Sequence, residues 1–135
     1  MIPELYNLLL IMIPLYNTAG KQVVYADDAC RALYDAEGKV VAWFDEELLY
    51  SLNGRYLGWV YQGWVYDRNG HPALFAENAI GGPERPPLNN LARAMPKRMK
   101  LASLPMPLPQ RQPRPARRNR ASSWSPRSGA AYFTQ

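Results

Sequence analysis

The residues of this chain that could do acid–base or metal chemistry are few and scattered. Asp27 and Asp28 stand side by side, Asp45, Glu46 and Glu47 form a second acidic run, and Cys30 and His71 are the single cysteine and histidine. Paired carboxylates work as acid and base when a cleft holds one of them and shifts its pKa. Adjacent carboxylates in a loop usually just face water. Both runs fall at links between apolar segments, which reads as an acidic rim for a cation or a basic partner, the chain's own basic tail among them. One cysteine excludes an intramolecular disulfide and a cysteine-rich metal site, and His71 leaves a histidine cluster without members. His71 reads as an exposed residue flanking a turn. No P-loop, dinucleotide glycine pattern, nucleophile elbow or metal-ligand spacing occurs. The expectation is a protein that is not an enzyme and carries no metal and no cofactor.

A second set of residues suits binding. Arg111, Arg114, Arg117, Arg118 and Arg120 lie within ten residues, and Trp124, Tyr132 and Phe133 follow them. Such arginines can neutralise phosphates, with an affinity that falls steeply with salt, and an anionic membrane surface attracts the same charges. Aromatic residues are uncommon in disordered sequence, so these three read as a docking motif. Residues 1–82 carry a net charge of −5 and residues 83–135 of +10, and ten of the 13 prolines lie after residue 82. The chain reads as an acidic folded body with a basic, proline-rich tail.

A fourfold internal repeat organises that body. Gly20, Gly38, Gly54 and Gly70 are spaced by 18, 16 and 16 residues. Three residues before each stands Asn17, Asp35, Ser51 or Asp67. Four before stands Tyr16, Tyr34, Tyr50 or Tyr66, and before that Leu15, Leu33, Leu49 or Val65. The fifth residue after each glycine is Tyr25, Trp43, Trp59 or Phe75. Asn/Asp/Ser-x-x-Gly marks a type I turn whose first side chain accepts hydrogen bonds and whose glycine takes a positive φ in a short bulged hairpin. Each repeat is therefore a β-hairpin. After each glycine, positions one, three and five are expected on one face, with Val23, Val41, Leu57 and Ala73 at position three. A lone hairpin is marginal in water. Four of them should close into a ring with few free edges, the aromatic column packing between neighbours. The four tyrosines either line an axial pocket or close the hydrophobic layer.

The segments Leu15–Tyr25, Leu33–Phe44, Leu49–Trp59 and Gly63–Asn78, the last reading GWVYDRNGHPALFAEN, resemble the four-fold beta-flower domain of small bacterial proteins. The resemblance implies the fold and supplies no catalytic residue or ligand.

The remaining segments divide the chain. Residues 1–13 form an N-terminal extension in which Met1–Asn7 is nearly repeated by Met12–Asn17, so that Met12 is an alternative start. Its apolar run, Leu8–Ile13, is too short to span a bilayer, which takes about 20 apolar residues. It also lacks the basic flank of a signal peptide, so the cytoplasm is expected over secretion. The hairpin domain occupies 14–82, with a tight bend at Gly63. Ile80–Pro83 ends its ladder. Residues 83–121 are expected as a disordered linker, in which Pro96 interrupts a helix-like stretch at 88–101, and 122–135 as the aromatic segment. The whole reads as a non-catalytic, all-β interaction module that offers its tail to a protein partner. Nucleic-acid binding through the arginines is the alternative, and a small ligand in a tyrosine-lined axial pocket ranks third.

Overall fold

A computed structural model describes residues 12–27, 32–88, 111–113, 116 and 119–135. Residues 1–11, Asp28, Cys30, Arg114, Arg117, Arg118 and the helix-like stretch after Leu88 lie outside the described residues. Eight strands run in order: β1 (Met12–Tyr16), β2 (Gln22–Asp27), β3 (Ala32–Tyr34), β4 (Val40–Asp45), β5 (Leu48–Ser51), β6 (Tyr56–Tyr61), β7 (Trp64–Asp67) and β8 (Pro72–Phe75). Each pairs antiparallel with the next, and β8 returns to β1, which closes the barrel. The expected ring of four hairpins is present.

The repeated turn residues explain each hairpin. In the first, the Gly20 amide donates to the Asn17 carbonyl and the Asn17 amide to the Lys21 carbonyl, both at 2.9 Å. Asn17 Oδ1 accepts from the amides of Ala19 and Lys21. Asp35 and Asp67 repeat this with Glu37 and Lys39, and with Asn69 and His71. Ser51, shorter by one atom, accepts from the Arg55 amide while its hydroxyl donates to Asn53. The glycines adopt φ of 77, 85, 86 and 90°, the left-handed region that a Cβ disfavours. The bend at Gly63 is a two-residue turn in which Gln62 and Gly63 both have positive φ, the hand that suits strand twist.

One detail departs from the sequence pattern. Leu15 faces Val24 while Tyr16 faces Gln22, so Val23 is an extra residue. Val41, Leu57 and Ala73 are extra in the same way. A bulge resets the alternation. Position three therefore joins the aliphatic layer, whereas the aromatic at position five points to the opposite face, not the same one.

The two faces of the sheet are both apolar. Leu15, Val24, Ala26, Leu33, Ala42, Leu49, Leu57, Val65 and Leu74 form one continuous buried cluster that draws on every strand, which places it inside the barrel. The tyrosine and aromatic columns, one residue out of phase, lie outside. There they join each hairpin to the next. Trp43 stacks on Tyr50 with centroids 5.1 Å apart, Trp59 on Tyr66 at 5.4 Å and Phe75 on Tyr16 at 5.6 Å, while Tyr25 faces Tyr34 across the fourth seam. The tyrosines consequently do not line the axis.

The outer ring is nonetheless buried, and described parts of the chain after β8 lie along it. Trp64 Nε1 donates to the Ile80 carbonyl, and Arg85 sits over Phe75 and donates to the carbonyls of Ala76 and Glu77. The Pro87 backbone meets Gly20, and Leu88 packs on the outer aromatics. Farther round, the Gln112 amide donates to the Gly54 carbonyl and its side chain accepts from the Tyr56 amide. The Ala121 amide donates to the Gly70 carbonyl, and Trp124 packs edge-on against Trp64 and Phe75. These contacts pass hairpins four, one, three and four again, in chain order. The described parts of the segment expected as a disordered linker thus form a belt. Proline-rich sequence cannot complete a ladder, but it can cover aromatic rings and satisfy the amides left at turns.

Replacing Gly38, at φ 85°, with alanine should destabilise the fold by about 1–2 kcal/mol. Asp35→Ala, which strips two backbone amides of their acceptor, should cost about 1–2 kcal/mol. Urea unfolding followed by tryptophan fluorescence checks both, and an unchanged midpoint for either would mean that its turn does not carry the hairpin.

Candidate functional site

The inner face leaves a cavity at one end of the barrel. Its wall is aliphatic and aromatic: Ile13 and Leu15 from β1, Ala26 from β2, Phe44 from β4, Val60 from β6, Val65 from β7 and Ala76 after β8. It holds about 390 Å³, and Glu46, Glu47, Gly63 and Asn78 stand at its mouth. Glu46, Glu47 and Gly63 belong to links between hairpins and Asn78 follows the last one, so the cavity opens away from the four glycine turns. An eight-stranded barrel has an interior wide enough for side chains or for one small ligand. Here the cavity takes up one half.

The other half is closed by the C-terminus. A 3-10 helix, Gly129–Thr134, brings Tyr132 into the inner cluster, where it is fully buried and its hydroxyl donates to the Tyr66 carbonyl at 2.8 Å. Phe133 packs beside it on the same cluster. Three serines guide the chain in. Ser123 Oγ and its carbonyl lie 3.2 and 3.1 Å from His71 Nδ1. Ser125 Oγ donates to Asp67 Oδ2 at 2.6 Å, leaving Oδ1 for the turn amides. Ser128 Oγ donates to the Ala73 carbonyl and accepts from the Thr18 amide. Burial raises the Tyr132 phenol well above its ordinary pKa, and the neighbouring Tyr56 and Asp67 push the same way.

The turn acceptors hold backbone amides, the aromatic columns meet at the seams, and the terminal aromatics lie on the barrel. Trp124 and Tyr132 dock, but on their own barrel, because an open barrel end and a bare aromatic ring offer more apolar surface to bury than solvent does. A signal for Tyr132 existed. Four residues after the turn glycines stand Val24, Ala42 and Leu74, but the third repeat has Gly58. A Cβ there would come within 2.6 Å of the Tyr132 hydroxyl and 1.9 Å of the Tyr66 carbonyl oxygen. The missing side chain marks the place of the plug.

The acidic rim divides. Asp45 points outward and pairs with Arg111 at 3.1 Å, so the chain's own tail is a partner of the rim. Arg111 also lies over Tyr50, and Arg120 over Tyr61 at 4.4 Å. Glu46 and Glu47 turn to the cavity mouth. Among the described residues no group of three or more His, Cys, Asp or Glu could hold a metal ion. No helix among them is long and apolar enough to cross a membrane.

The family model described as "4-fold beta flower protein" matches residues 13–133. The matched span includes the belt and Tyr132 as well as the four hairpins. No curated protein and no solved structure matches the chain.

Tyr132→Ala should remove about 3–5 kcal/mol of stability by opening a cavity, while Tyr132→Phe should cost about 1 kcal/mol for the lost hydrogen bond. A phenol whose folded pKa is raised stabilises the fold fully below its unfolded value, about 10, and loses that contribution as pH rises through the folded value. Denaturation midpoints measured from pH 8 to 12 should therefore fall less steeply in Tyr132→Phe than in the parent. Parallel curves would place the phenol in water.

Proposed function

The chain belongs to the 4-fold beta flower family, and from that premise we propose that it is a non-catalytic interaction module whose partner engages the open end of the barrel. The apolar cavity of about 390 Å³ carries this reading. Binding sites are concave, mostly apolar, and furnished with few polar groups. Apolar anchors seated in such pockets dominate the energy of protein interfaces. Asp35, Ser51 and Asp67 hold turns, and Asp45 holds Arg111. The single Cys30 fits a reducing, cytoplasmic setting.

Partner binding by a free tail was the leading expectation. The folding back of Gln112, Ala121, Trp124 and Tyr132 favours the barrel end over the tail. Nucleic-acid binding remains the competing reading, with Arg111 and Arg120 already over tyrosine rings.

Two titrations of the full chain separate these readings. Indole, as a neutral apolar probe, should shift the NMR methyl signals of Leu15, Val60 and Val65. Labelled single-stranded DNA and RNA should bind at low salt alone. Nucleic-acid binding that survives physiological salt, with the cavity methyls unmoved by indole, would reverse the order of the two readings.

A further inference from the structure

The cavity at the open end of the barrel lies beside the point where the chain enters the fold. β1 runs from Met12 toward the first glycine turn, and Met12 pairs with Asp27, at the end of β2 farthest from Gly20. The first residue of β1 therefore stands at the mouth, and Ile13 and Leu15 behind it belong to the cavity wall. Residues 1–11 lie outside the described residues. Their sequence reaches Met12 through Leu8, Leu9, Leu10 and Ile11, four aliphatic residues in a row. The family match begins at residue 13, so this run is additional to the four hairpins.

We propose that residues 8–11 of the chain's own N-terminal extension occupy the cavity, and that a partner gains the open end by displacing them. The second half of this rests on the cavity being the binding site, and the first does not. The run has the reach. Eight strands about 4.8 Å apart close into a ring roughly 12–15 Å across, and four extended residues span about 13 Å. Starting beside β1, the run can cross to the β4–β5 link on the opposite side of the ring. Its chemistry also matches the wall, which offers Phe44, Val60, Val65 and Ala76. An apolar cavity of roughly 150 Å³ takes a benzene-sized group, so one of about 390 Å³ has room for about two of the four side chains. The far end is stoppered by Tyr132, which leaves the mouth as the way in. Because it is tethered at Met12, the run faces the cavity at an effective concentration of millimolar order. A separate molecule must match that concentration and also bear the cost of association. A segment seated in about nine molecules of ten leaves the cavity free in one, and a competing probe then binds about tenfold more weakly.

The test uses the full chain with its leucine, isoleucine and valine methyls labelled, and indole as the probe. Nuclear Overhauser contacts should link the methyls of residues 8–11 with those of Val60 and Val65. The full-length variant Leu8→Ser, Leu9→Ser, Leu10→Ser, Ile11→Ser should lose these contacts and bind indole about tenfold tighter than the parent. Leu9→Ser with Leu10→Ser, a milder change, should show part of that gain if the fourfold variant does not fold. Absent contacts with equal indole affinities would overturn the internal occupant and leave the cavity as an open binding site. Contacts found between differently labelled chains in a mixture would assign the run to a second copy and overturn the internal arrangement. Contacts within one chain, with no indole binding to parent or variant, would keep the internal occupant and overturn the partner site. Neither contacts nor binding would overturn both.

Discussion

The stacking of Phe75 on Tyr16 is the contact that turns four hairpins into a ring. The seams at β4–β5 and β6–β7 each hold four facing residue pairs, and β2–β3 holds two. Strands β8 and β1 meet at one pair, Tyr16 and Phe75. A single backbone pairing is weak, so closure depends on the rings and on what covers them. Arg85 and Trp124 do so, reaching the Phe75 ring at 5.9 Å each. The barrel's last seam is thus completed by side chains from outside the repeats. This explains why a four-hairpin unit needs the residues that follow it.

A second consequence of the ring is that it has apolar surface on both sides. A half-buried sheet alternates apolar and polar residues, but here the leucine column and the adjacent tyrosine column are both buried. Eight short strands have no second sheet to pack on. The inner face fills itself with aliphatic residues and Tyr132. The outer face is covered by coil. The cavity is what remains of the inner face beyond the plug, and its wall is lined where the bulges do not add a second inward side chain.

The fold was legible in the sequence to the extent that it is periodic. Five columns over four rows gave the hairpins, their turns and the aromatic seams, because each column answers a local requirement. Asn17 and its equivalents cap turn amides, and Gly20 and its equivalents take a left-handed φ. The bulge at Val23, Val41, Leu57 and Ala73 was not legible, since a shift of one residue leaves composition unchanged while exchanging faces. The fate of the tail was also hidden. Proline and arginine make residues 83–121 look like solvated linker when judged alone. The role of its described residues, such as Arg85, Leu88, Gln112 and Arg120, follows from the surface they lie on, which belongs to other parts of the sequence. Glu46 and Glu47 were visible as an acidic run, but their distinction from Asp45 required knowing which way each one points.

The account stands on the barrel and its C-terminal belt being one folded unit. Native-state hydrogen exchange of the full chain tests this directly, at the amides of Gln112, Ala121 and Ser125, which donate to Gly54, Gly70 and Pro72. Protection of these three amides comparable to that of β5 and β7 is the predicted result, since exchange would then need opening of the same unit. Exchange at the rate of an unfolded chain, with the strands still protected, would contradict it and return the tail to solvent.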